Sequence, residues 1–74
     1  MGALPQPDLL AWPELHAAEL RREQAEAAYE IARRRFHFAP HGQRDQRRRA
    51  MEEASKELLR AEVEEGRLRQ GLVR

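Results

Sequence analysis

Apolar positions in the second half of this chain recur with a 4-3 spacing. Met51, Ala54, Leu58, Ala61, Leu68 and Leu72 fall on one row, together with Arg47 and Glu65. Such a row draws a narrow stripe along an α-helix, the spacing that a coiled-coil-like contact requires. The first half carries a broader arc. Projected at about 100° per residue, Ala17, Ala18, Ala25, Ala28 and Ala32 fill its centre. Leu20, Ile31 and Phe38 line one edge and Leu15, Tyr29 and Phe36 the other, while Glu19, Glu23, Glu26, Glu30 and Arg34 take the opposite face. An alanine-rich centre lets a second helix approach closely. Two bulky edges predict two different neighbours.

Proline and glycine place the boundaries. Residues 1–12 read as an arm, because Pro5 and Pro7 bias Leu4 and Gln6 towards extended backbone. Pro13 suits the first position of a helix, where its missing N–H costs nothing. Good helix formers then continue without Gly or Pro to Phe38. Ala39-Pro40-His41-Gly42 is the break: Pro40 ends the helix and Gly42 is free to take positive φ. The spacing therefore predicts helix one over about 13–38, a turn over 39–42 and helix two over about 43–72, with fraying expected beyond Gly66 and Gly71. A short connection between two long helices makes them antiparallel neighbours. The expected fold class is all-α, an antiparallel two-helix hairpin.

Length sharpens that picture. With 74 residues and no cysteine, the chain forms one domain at most and has neither disulfides nor thiolate metal ligands to reinforce it. Helix two covers only one edge of helix one, so Leu20, Ile31 and Phe38 are expected to stay exposed on a lone hairpin. An exposed apolar stripe marks an interface. The expected partner is a second copy, most simply completing an antiparallel four-helix bundle, or another protein of a larger assembly. No apolar run reaches the roughly 18 residues of a membrane span, and no signal peptide is legible, so the expected location is cytoplasmic or within a particle assembled inside the cell.

Net charge hides a segregation. The formal value is +1, yet residues 33–49 hold seven arginines against Asp45 alone, and the remainder is acidic. Folding at Pro40–Gly42 gathers Arg33, Arg34, Arg35, Arg44, Arg48 and Arg49 at one tip. Planar guanidinium forks bind phosphate oxygens in pairs, so the tip is a candidate polyanion surface for nucleic acid or an acidic protein. Phe36 and Phe38 stand among these arginines as candidate base-stacking groups. The bland alternative is a solvated face, with Arg33–Arg35 complementing a helix C-terminus, Arg34 paired with Glu30, and Arg48 and Arg49 paired with Glu52 and Glu53. Within the seam, Arg47 is expected beside Phe36, and Glu65 near Ala18 and Arg22, where a Glu65–Arg22 pair would help to set register.

The arm carries one short motif. Gln6-Pro7-Asp8-Leu9-Leu10 resembles the bacterial sliding-clamp-binding peptide, in which a Gln is followed by a small or acidic middle and two bulky apolar residues. The resemblance implies that Gln6 hydrogen-bonds at a pocket entrance that Leu9 and Leu10 fill. Read by burial alone, Leu9, Leu10 and Trp12 instead fold back over the open end of the hairpin.

Catalytic chemistry is not legible. Ser55 is the only serine and lies mid-helix, no glycine-rich phosphate loop is present, and no Ser/His/Asp set is apparent. The carboxylates lack the Glu-x-x-His pairs of a di-iron bundle, and Pro40 separates His37 from His41. The expectation is a non-enzyme with no cofactor, no metal and no small-molecule substrate. It is a small helical adaptor or assembly subunit that binds protein through Leu20, Ile31 and Phe38 and a polyanion through the arginine tip. The alternatives are a structural subunit of a phage particle or secretion apparatus, a small DNA- or RNA-binding regulator, and, more remotely, a metal-binding bundle enzyme.

Overall fold

The computed structural model describes residues 11–73, of which all but Phe38, Ala39 and Pro40 are helical. Helix α1 spans Ala11–His37 and helix α2 spans Arg44–Val73, joined through a single 3-10 turn at His41–Gln43. Ion pairs join the start of α1 to the end of α2, as between Glu19 and Arg69, so the two form an antiparallel hairpin. Residues 1–10, including the clamp-like motif and the proposed cap by Leu9 and Leu10, lie outside the described residues. No helix among the described residues is long and apolar enough to cross a membrane.

Among the described residues α1 already includes Ala11 and Trp12, so Pro13 stands inside the helix rather than at its first position. Trp12 beside it is half exposed.

The elbow also differs in detail from expectation. Helix α1 ends one residue early, and its last carbonyls are taken up locally by the amides of Phe38, which donates to Arg34, and Ala39, which donates to Phe36. Pro40 holds φ −60° and ψ 154°, and its carbonyl accepts the Gln43 amide at 2.9 Å. Gly42 does not take positive φ. The reversal is made by extended Pro40 and the 3-10 turn, so the conformational freedom of glycine is not what turns the chain.

Packing follows the 4-3 row. Every described α2 side chain that loses much of its surface lies on it: Arg47, Met51, Ala54, Leu58, Ala61, Glu65 and Leu68. Helix α1 answers with its own row at Leu15, Ala18, Arg22, Ala25, Tyr29, Ala32 and Phe36. The broad arc of α1 thus resolves into one seam on the Leu15–Tyr29–Phe36 side. Leu15 and Ala18 are the only buried apolar residues among those described. A strip of alanines is narrow and removes little apolar surface from water, so this hairpin has few hydrophobic contacts to spare.

Helix α2 runs through Gly66 and Gly71 to Val73, with no break where fraying was expected. A Cβ added at Gly66 meets nothing within 4 Å, and the backbone there is not at positive φ. Gly66→Ala should therefore stabilise the hairpin by about 0.8–1 kcal/mol through helix propensity alone. A thermal melt should show the midpoint rising by several degrees; an unchanged midpoint would mean that the C-terminal third contributes nothing to the cooperative unit.

Candidate functional site

Three features distinguish this hairpin: a polar clasp at its open end, an arginine tip at its elbow, and an uncovered apolar face on α1.

The clasp centres on Glu65, which is 8% exposed. Arg22 Nε donates to Glu65 Oε1 at 2.7 Å, the pair expected from the seam. Arg69 completes the site: its Nη2 donates to Glu65 Oε2 at 3.1 Å and to Glu19 Oε2 of the facing helix at 2.7 Å. Arg22 also pairs with Glu26 one turn along. On the other flank, Arg21 Nη2 donates to Glu64 Oε1 at 2.5 Å. Three cross-helix clips therefore sit close together far from the turn, where the two helices would otherwise separate. Burial pushes the Glu65 carboxyl up, but hydrogen bonds from Arg69 and Arg22, reinforced by their charges, outweigh it and hold the group below its ordinary 4.5. The same hydrogen bond from Arg22 to Glu65 raises the guanidinium above its usual range. The Arg69–Glu19 and Arg21–Glu64 clips were not legible beforehand, since each depends on the register of two helices. Their signal was available only as opposite charges flanking the seam.

The tip holds the seven arginines of residues 33–49. Neutralisation is incomplete. Arg33 donates to Glu30 at 3.0 Å, and Arg48 pairs with Asp45. The pairs expected from spacing, Arg34–Glu30, Arg48–Glu52 and Arg49–Glu53, do not form. Arg33 reaches Glu30 first at three residues, and Asp45 at three residues intercepts Arg48. Arg34, Arg35, Arg44, Arg47 and Arg49 have no acidic partner among the described residues. Arg44 lies 4.6 Å over the Phe36 ring, in the place expected for Arg47. The 3-10 turn brings Arg44 back across the elbow, while Arg47 donates to Gln43 at 3.3 Å. Phe36 is thereby covered on one face. Phe38 is 77% exposed, its ring near-perpendicular to that of His37 at a centroid distance of 4.8 Å.

Helix polarity divides these arginines into two groups. Arg34 and Arg35 end α1, where cations complement the negative pole of the helix. Arg44 and Arg47 stand in the first turn of α2, the positive pole, where a cation is disfavoured by about 0.3–1 kcal/mol, and Arg48 and Arg49 follow in the second turn, where mutual repulsion is the larger effect. Asp45 is the only acid there. Around this pole, a shallow depression is lined by Phe36, His41, Gly42, Arg44, Asp45 and Arg48.

The outer flank of α1 presents Leu20 and Ile31, each 51% exposed, with Phe38 beyond them. Ile31 also borders a cleft between the helices, shared with Ala28, Ala32, Arg35, Arg47 and Ala50. Neither a protein-family model, nor a curated protein sequence, nor a solved structure matches this chain.

Proposed function

We propose that the chain is a small non-enzymatic adaptor, which docks on protein through the outer face of α1 and on a polyanion through its elbow. The observation that carries this reading is the cluster of arginines at the positive pole of α2. A cluster that only decorated a helix would favour the other end, as Arg34 and Arg35 do. Arginines that oppose both one another and the helix dipole need an external anion to offset the repulsion. The helix N-terminus adds to the attraction, since its free amides and positive pole favour phosphate.

Binding of the full chain to duplex DNA and to RNA, followed across a salt series, tests the polyanion half. About five phosphate contacts should make the logarithm of the affinity fall by roughly 4.5 units per tenfold increase in salt on duplex DNA. An affinity that does not move with salt removes nucleic acid as the ligand and leaves an uncharged protein contact.

A further inference from the structure

Helix α1, with Phe38 just beyond its end, carries a second 4-3 row, which α2 does not cover. Leu20, Gln24, Ala27, Ile31, Arg34 and Phe38 follow one another at spacings of four and three, and all six are exposed. The row lies roughly 150° around the helix from the seam with α2. We infer that it is the contact for a second copy of this chain, laid antiparallel on α1 about a two-fold axis level with Tyr29. This inference rests on the reading of the outer face of α1 as a protein-docking surface and names its occupant.

The argument is the symmetry of the row. A two-fold contact must be self-complementary: if one position meets another, the reverse contact forms too. About residue 29, Leu20 meets Phe38 of the second copy and Ala27 meets Ile31, a small side chain receiving a large one. The two polar members, Gln24 and Arg34, meet each other, and the amide oxygen of Gln24 accepts from the guanidinium. Sliding the copies by one heptad in either direction sets Ile31 against Arg34, or Gln24 against Ala27. A parallel pairing stacks Arg34 on Arg34. Only the register centred on Tyr29 matches apolar with apolar and polar with polar throughout. A foreign partner imposes no such mirror relation on the row.

Charge favours the same orientation. Antiparallel docking carries each arginine tip towards the stem of the other copy, where Glu14 and Glu23 have no cation partner among the described residues. The two elbows then sit at opposite ends of the dimer. Arg44, Arg48 and Arg49 belong to α2 and lie outside this contact row, so they stay open to an anion.

Two measurements on the full chain test this. Sedimentation equilibrium over a concentration series should give twice the 8.7 kDa chain mass. Ile31→Asp and Leu20→Glu should each return the chain to monomer, weakening association roughly a hundredfold or more by placing two charges in the contact, with helicity by circular dichroism retained. The chain has no cysteine, so introduced thiols report geometry cleanly. An equimolar mixture of L20C and F38C chains should oxidise to the mixed dimer, while neither variant alone crosslinks. Homodimers of L20C alone would mean a parallel pairing and overturn the register. A monomer at every concentration would overturn self-association while leaving the face to a foreign protein. A dimer indifferent to Ile31→Asp would overturn both the inference and the docking role of this face.

Discussion

Replacing Arg44, Arg48 and Arg49 together by Gln is expected to abolish most binding to a phosphate polyanion while leaving the hairpin as stable as before or slightly more so. The two signs come from one cause. Arg44 stands in the first turn of α2, at the positive pole, and Arg48 and Arg49 crowd against it in the second. Removing them relieves repulsion within the folded chain, at the loss only of the Arg48–Asp45 pair and the stacking of Arg44 on Phe36. On the ligand side, three lost phosphate contacts should shallow the salt slope by about 2.7 on duplex DNA. Counterion release contributes little near 1 M salt, so that slope corresponds to a loss of roughly a hundredfold to a thousandfold near 0.1 M. Fluorescence anisotropy with a labelled duplex, run beside a thermal melt, checks both. A variant that binds as before, or one that loses binding only because it unfolds, contradicts the expectation.

The second large effect is expected at the clasp. Removing both arginines in Arg22→Ala/Arg69→Ala strips Glu65 of the two groups that satisfy it. A partly desolvated carboxylate that loses both partners destabilises the seam, and the thermal midpoint should drop by several degrees. Glu65→Leu should do the reverse. It extends the apolar row, and neither arginine is orphaned, because Arg22 keeps Glu26 and Arg69 keeps Glu19. Higher stability with a looser helix register is the expected outcome; a clear loss of stability would show that the clasp is worth more than the packing that replaces it.

Acid separates these variants further. In the native chain the Glu65 carboxyl is held below 4.5, so the unfolded chain takes up its proton first. The stabilisation is complete above 4.5 and is lost as pH falls through the folded value. Without Arg22 and Arg69, the hydrogen bonds and charges that lower the group are gone, and with them this contribution to acid sensitivity. Melts from neutral to acidic pH should therefore descend for the native chain and descend less for the double variant.

The α2 side of the hairpin was legible residue by residue, because its 4-3 row has one interpretation and each member from Arg47 to Leu68 proved to be a seam residue. The α1 side was legible only as an arc. Two rows with the same spacing run along that helix, and nothing in a periodicity says which of them a neighbour takes. Gly42 misled for a related reason: glycine permits positive φ without requiring it, and extended Pro40 with a 3-10 turn already reverses the chain. Arg33, Arg44 and Asp45 redistributed the expected partners of the tip, since flexible side chains at three and four residues compete on nearly equal terms.

The residue pattern by itself determined that this chain makes two helices, that they meet at the Pro40 elbow, and that arginine gathers there. These are consequences of local rules: helix propensity, the missing N–H of proline, and the order of charges along the chain. The tertiary structure decided which row of α1 is spent on α2 and which is left bare, that Glu65 has Arg69 as well as Arg22, and that Arg44 rather than Arg47 covers Phe36. Each of these depends on the rotation and register of one helix against the other. Those two quantities cost nothing in the sequence and are set only when side chains from both helices compete for the same narrow seam.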